Sequence, residues 1–206
     1  MLPKITRLQP SGRTKDQQEV LSYPTAYIYE QKFDGFGCLA RVDAPSVDLK
    51  SKRGLSLSGF HEVRKELLGL GFDRAIFDGE LVCPGKDSAQ GFQRLLQRKG
   101  PVVYNIYDLL YLQDYDLRAL PLVERKIHLR RVLRGRHKHL RFVRFYDAAD
   151  AQELAHMAQT RDWEGLVAKL RDQVYDPLVA ANWVKLKRQD YALAKRRWPL
   201  FTRKSG

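Results

Sequence analysis

Lys32 stands in the stretch Glu30-Gln31-Lys32-Phe33-Asp34-Gly35, at the end of an apolar run and just before a tight Asp-Gly turn. A lysine fixed there is placed to attack through its ε-amine. To do so near neutral pH it must lose its proton, and burial or nearby positive charge favours that loss. Lys185 and Lys187 are alternate residues of Trp183-Val184-Lys185-Leu186-Lys187, so they share one face of a strand and could supply such a field. Glu80 and Glu164 are acids far apart in sequence, and Tyr107 ends a β-rich apolar run. Taken singly, each has an ordinary reading: a lysine beside a turn, a solvent-facing basic strand, surface acids, an aromatic in a packed core.

The elements that must position them follow from pattern. Ala26 to Gln31 reads as a strand with Tyr27 and Tyr29 on one face and Ile28 on the other; Asp34-Gly35 supplies a sharp turn and Cys38 to Val42 the returning strand. Val47 to Ser51 is a third strand entering the basic turn Lys52-Arg53-Gly54. Phe60, Val63 and Leu67 recur at helical spacing after a cap at Ser58, with Gly69 and Gly71 as stops. Ala75 to Phe77 and Leu81 to Cys83 read as a strand pair pinched at Asp78-Gly79. Asp87 or Ser88 caps a short helix with Phe92, Leu95 and Leu96 inward, closed by Gly100-Pro101. Val102 to Tyr107 is a buried strand.

Pro121 suits the first turn of a helix in which Leu122, Leu129, Val132 and Leu133 share an arc, with Arg131 and Arg134 outside it and Gly135 as its stop. Leu140 to Phe145 reads as one strand, and Asp150 with Glu153 as a capping box. Leu166 to Leu170 and Trp183 to Lys187 are the last strands, and residues 1 to 25 an extended lead-in. Short strands interrupted by helices, without a regular βαβ repeat, imply an α+β fold.

The 206 residues suffice for one well-cored domain and carry a formal charge of +13. Residues 121 to 144 hold nine Lys/Arg against one Glu, and residues 185 to 206 hold eight against one Asp. Together these segments exceed the whole chain's excess, so the positive charge is localised and points to a polyanion such as nucleic acid. A membrane surface fits less well, because neither segment joins its charge to a strongly apolar helical face. Cys38 and Cys83 lie in apolar runs and read as buried thiols, with one disulfide left open; the N-terminus has no signal-like core, so a soluble cytoplasmic protein is expected. The five histidines lack metal-ligand spacing, and His137 and His139 read as solvated in a basic loop.

Six stretches, in order, are Glu30-Gln31-Lys32-Phe33-Asp34-Gly35, Ser51-Lys52-Arg53-Gly54, Phe77-Asp78-Gly79-Glu80, Tyr104-Asn105-Ile106-Tyr107-Asp108, Glu164-Gly165-Leu166-Val167-Ala168-Lys169 and Trp183-Val184-Lys185-Leu186-Lys187. In order and rough spacing they resemble the nucleotidyltransferase motifs of the ATP-dependent DNA ligases. The resemblance implies an α+β nucleotidyltransferase (ATP-grasp-like) adenylation domain, mostly antiparallel sheets flanked by helices, over residues 26 to 188, preceded by the lead-in and followed by a basic tail. It implies ATP and Mg²⁺ (or Mn²⁺) as cofactors and nicked DNA as substrate.

By resemblance, Lys32 would attack ATP to form lysyl-AMP, Glu30 would approach the adenine amine, Tyr107 would stack on adenine, and Glu80 would contact the ribose. Lys185 and Lys187 would grip the α-phosphate, and Glu164, with Glu80, would help hold the metal. Arg53 and Lys52 would face the ribose or the 5′-phosphate of a nick, and Lys195, Arg196 and Arg197 would contact DNA.

Three departures stand out. The family's first motif carries arginine two residues after its glycine, where this chain has Gly37, and Arg41 further along the strand is a doubtful substitute. Ser51-Lys52 replaces the usual Ser-Arg and loses the bidentate fork. About 19 residues follow Lys187, too few for the OB-fold that normally closes over ATP, so an OB-fold or another repair protein would act in trans. The rival readings are a noncatalytic nucleic-acid-binding module and an RNA ligase or capping-type enzyme.

Overall fold

The computed structural model describes residues 2–84, 88–97, 99–149, 151–161, 163–177 and 183–187; Asp87, Asp150 and the tail residues Lys195, Arg196 and Arg197 lie outside them. Its strands are β1 (Tyr27–Gln31), β2 (Phe36–Asp43), β3 (Ser46–Ser51), β4 (Arg74–Val82), β5 (Val103–Leu112), β6 (Tyr115–Asp116), β7 (Leu140–Phe142), β8 (Phe145–Tyr146), β9 (Gly165–Leu170) and β10 (Trp183–Lys187). Its helices are α1 (Thr14–Ser22), α2 (His61–Leu68), α3 (Ser88–Leu96), α4 (Leu122–Val132) and α5 (Ala151–Thr160). The chain divides into two units: Pro10–Lys32, Phe145–Leu170 and Ala181–Gly206 form one, and Met1–Gln9, Phe33–Arg144 and Arg171–Ala180 the other.

The Lys32 unit is built on an antiparallel sheet of order β10-β9-β1-β8. Side chains alternate across a strand, so Tyr27, Tyr29, Leu166, Ala168, Val184 and Leu186 fall on one face and pack with Val20 of α1 and Met157 and Ala158 of α5. Helix α1 lies where an extended lead-in is expected. Its sequence hides it: Val20 is its one buried residue and no side chain caps it at Arg13. Tertiary contacts hold it instead. Gln17 Nε2 donates to the Lys185 carbonyl at 2.9 Å, and Ser11 pairs through its backbone with Trp183 and Lys185.

The Glu80 unit has a second sheet, β3-β2-β4-β5-β6, with β7 running parallel to β5. Its core gathers Ala40, Val42, Leu49, Phe77, Leu81, Tyr104 and Ile106 with Val63 and Leu67 of α2, Leu95 of α3 and Leu129 of α4. Strands β1 and β2 therefore do not form the expected hairpin. β1 pairs with β8 and β9, and β2 with β3 and β4. Gly35 still serves close approach, since a Cβ there would lie 2.2 Å from the Leu81 carbonyl oxygen.

Other local expectations also change. Strand β4 is continuous through Asp78-Gly79, the irregularities being register shifts against β5. Leu140 to Phe145 splits into β7 and β8, which join different sheets. Phe60, not Ser58, is the N-cap of α2, Pro121 precedes α4 as its N-cap, and Leu96 is exposed. His137 and His139 are half-buried, because Glu66 of α2 accepts the backbone N–H groups of Lys138 and His139 at 2.7 and 2.6 Å. Glu153 accepts the Ala149 N–H at 2.8 Å, one residue before the expected cap Asp150.

Candidate active site

The face of the Lys32-unit sheet opposite its apolar core carries the charged candidate residues. Antiparallel register sets Ile28, Lys169 and Trp183 in one row and Glu30, Val167 and Lys185 in the next. Lys32 has the same parity as Glu30, and its N–H donates to the Gly165 carbonyl at 3.1 Å, opposite Lys187. Lys32, Lys185 and Lys187 thus share a face; alternation in the sequence anticipates this for Lys185 and Lys187, and the register adds Lys32. Gly165 keeps the row passable, because a Cβ there would lie 2.2 Å from the Leu186 carbonyl oxygen.

Lys32 Nζ donates to Glu164 Oε2 at 2.6 Å, with the lysine side chain 15% and the glutamate 40% exposed. The amine is held beside a solvent-reaching carboxylate, on the sheet face that also carries two further cations. Such a set can orient an amine toward an incoming phosphate and neutralise the oxyanion that builds there. Glu30 is buried, and Lys169 Nζ donates to its Oε2 at 2.7 Å from 3.9 Å over the Trp183 ring. Sequence reading placed Glu30 in the site and passed over Lys169 as its partner. The available signal was a glutamate in an otherwise apolar strand, which demands a buried cation.

The Glu80 unit holds the other candidates. Glu80 is half-buried, and its Oε1 accepts the Gly35 N–H at 3.1 Å. Tyr107 sits at a bulge: Asp78 pairs with Asp108 and Gly79 with Ile106, leaving Tyr107 as the extra residue. Bulges re-aim side chains. This one is fixed from α4, where the wholly buried Lys126 donates to the Tyr107 and Val143 carbonyls at 3.2 and 2.8 Å. Beside it Arg125, also wholly buried, forks onto Asp108 at 2.8 and 2.9 Å. Pattern reading counted both residues within a basic surface and missed them as internal cations. Asp108 in an apolar strand was the signal for Arg125. Lys52 and Arg53 are exposed at the turn after β3, where Gly54 has φ +76°.

Arg7 also belongs here, although no motif marks it. Its Nε donates to the buried Asp78 at 2.6 Å, and its guanidinium lies 5.6 Å over the Tyr107 ring. Burial pulls the Arg7 pKa down, but the Asp78 carboxylate outweighs it and the net shift is upward, so the guanidinium stays charged. Cys38 and Cys83 are free, buried thiols. Among the described residues, no group of three or more His, Cys, Asp or Glu forms a metal cage, and no helix is long and apolar enough to cross a membrane.

The chain matches the family described as ATP dependent DNA ligase domain over residues 11–187. It belongs to that family. Relatives include the multifunctional non-homologous end joining protein LigD of Pseudomonas aeruginosa, 31% identical over 177 residues that cover 81% of this chain and 21% of that protein. A DNA ligase of Pyrobaculum neutrophilum is 30% identical, over 81% of this chain and 31% of its own length. The chain thus spans about a fifth to a third of these relatives. Among solved structures, a mycobacterial DNA ligase D complexed with ATP and MES superposes with a TM-score of 0.68 at 26% identity, covering 78% of this chain and 54% of that one. The fold is that of the ATP-dependent ligase nucleotidyltransferase domains, mixed helix and antiparallel sheet.

Proposed function

We propose that this chain is the adenylation domain of an ATP-dependent DNA ligase and that Lys32 carries AMP. The observation that carries the reading is Lys32 on the polar sheet face, 2.6 Å from Glu164 and sharing that face with Lys185 and Lys187. In the first step the neutral Nζ forms a bond to the α-phosphorus of ATP as the bond to pyrophosphate breaks. Pyrophosphate takes the electron pair, and the amine gives up its proton. AMP then passes to the 5′-phosphate at a nick, and a 3′-hydroxyl displaces AMP to seal the strand. Dividing one hard condensation into activated steps is the advantage of a covalent nucleophile.

Lys185 and Lys187 stabilise charge at the α-phosphate. Glu30, held by Lys169, reads the adenine amine, Tyr107 stacks on the base, and Glu80 and Arg53 take the ribose. The exposed carboxylate of Glu164 fits Mg²⁺, which uses few protein carboxylates alongside water and substrate phosphates. When bound, the metal supplies charge neutralisation at the phosphates. Lys52, Arg53 and the basic tail residues Lys195, Arg196 and Arg197 contact the DNA backbone, in a cytoplasmic setting that two free thiols suit. The closing OB-fold is supplied in trans or by further chain.

The test is transfer of label from α-labelled ATP to the purified protein with Mg²⁺, comparing wild type with Lys32→Ala and chasing with nicked DNA or nicked RNA. Label that needs Lys32 and moves to DNA is expected. A folded sample that binds DNA and takes no label would instead make this a nucleic-acid-binding module, and preferential transfer to RNA would make it an RNA ligase.

A further inference from the structure

Gly37 breaks the ligase pattern, yet the space its side chain would fill is occupied. A Cβ built on Gly37 would lie 2.1 Å from Arg7 Nη1 and 2.6 Å from Arg7 Cζ. Gly37 pairs across the sheet with Glu80, so this guanidinium sits among the residues of Phe77-Asp78-Gly79-Glu80. Arg7 Nε donates to Asp78 at 2.6 Å, Nη2 reaches the Gly79 carbonyl at 3.4 Å, and the plane lies 5.6 Å over Tyr107. The Arg7 side chain is 8% exposed and that of Asp78 is wholly buried, which makes the pair an internal feature of the unit.

The segment that delivers Arg7 is anchored on both sides. Leu2 and Leu8 are buried, and the Leu8 N–H donates to Tyr175 Oη at 3.1 Å, whose hydroxyl in turn donates to Asp78 at 2.8 Å. Arg41 donates to the Leu2 and Pro3 carbonyls at 2.9 and 3.2 Å. Arg41 therefore does not substitute for the arginine missing at Gly37; it fastens the strand of chain that brings Arg7 there. Arg7 precedes the stretch that matches the family, residues 11–187.

We propose that Arg7 supplies, from the N-terminal segment, the guanidinium that the ligase pattern carries at the position of Gly37. It acts as a positioning residue that fixes Asp78 and, through it and Tyr107, the Glu80 and Tyr107 side chains for the adenosine of ATP. The proposal rests on the adenylation reading above. Gly37 and Arg7 are then two halves of one exchange: the space admits one guanidinium, from either place.

The experiment is a cycle of full-length wild type, Arg7→Ala, Gly37→Arg and the double variant, read by thermal unfolding without nucleotide and by KM and kcat for self-adenylation. Arg7→Ala should lower Tm and raise KM for ATP on the order of tenfold, the size of a lost hydrogen bond to a charged group. Gly37→Arg alone should lower Tm by crowding, and the double variant should regain Tm and KM beyond either single change. Arg7→Lys, which keeps charge without the fork, should hold Tm nearer wild type while KM stays raised. Additive losses in the double variant, or a Tm loss with KM unmoved, would overturn the proposal. If the wild type forms no adenylate, the adenylation reading fails, while the Tm cycle still decides whether Arg7 occupies the place of a side chain at Gly37.

Discussion

Glu30 and Lys169 are each 2% exposed and 2.7 Å apart, so neither can lose its partner without leaving a charge buried in an apolar sheet. Lys169→Ala should destabilise the fold by about 3–5 kcal/mol, whereas Glu30→Gln with Lys169→Met should recover most of that loss in denaturant unfolding. A fully additive double variant would show that the pair is not coupled. Cys38 offers a pH test. Burial pushes its pKa from 9.0 up to about 12, so between those values the unfolded chain ionises while the folded chain does not. Stability from this group is complete below pH 9 and is lost as pH rises through that window. At pH 10 the loss should be on the order of 1 kcal/mol relative to pH 8, and it should vanish from the pH difference in Cys38→Ala. Equal pH slopes in the two proteins would contradict the assignment.

At the scale of elements, α4 joins two kinds of basic residue that pattern alone cannot separate. Arg125 and Lys126 are wholly buried against β5, while Arg130, Arg131 and Arg134 are exposed. Arg125→Ala should cost about 3–5 kcal/mol by stranding Asp108. Changing Arg130, Arg131 and Arg134 to Gln should leave unfolding nearly unchanged. The triple change should instead lower the salt slope of nicked-DNA binding by roughly 0.9 for each phosphate contact removed. An unchanged slope would remove this face from the DNA interface.

The contrast also marks what the sequence made legible. β9, β10 and the shared face of Lys185 and Lys187 were readable because their alternation is local and its apolar half is consistent. Helix α1 was not, since one buried valine gives no periodicity. Nor was the separation of β1 from β2, which depends on β9 pairing with β1 across more than a hundred residues of chain. Arg125, Lys169 and Arg7 were hidden because a buried cation is recognised by its acid, and Asp108, Glu30 and Asp78 are distant in sequence; Lys126 was hidden because backbone carbonyls, which carry no sequence signal, hold it.

Over the whole molecule, the candidate residues belong to two units, each with its own sheet. Lys32, Glu30, Glu164, Lys169, Lys185 and Lys187 belong to one, and Glu80, Tyr107, Arg7, Lys52 and Arg53 to the other. The localised charge of residues 121 to 144 is carried at the surface by Arg130, Arg131, Arg134, Arg136, Lys138, Arg141 and Arg144, which suits a polyanion. Deleting residues 195 to 206 should weaken nicked-DNA binding and flatten its salt dependence; unchanged affinity and slope would rule that segment out as a clamp. The central claim is that AMP becomes bonded to Lys32. Its most direct test is peptide mapping of the protein after incubation with ATP and Mg²⁺, locating any acid-labile AMP by mass spectrometry. The account predicts AMP on the peptide containing Lys32, lost on chasing with nicked DNA. AMP on Lys185 or Lys187, or ATP bound with no covalent adduct, would contradict it.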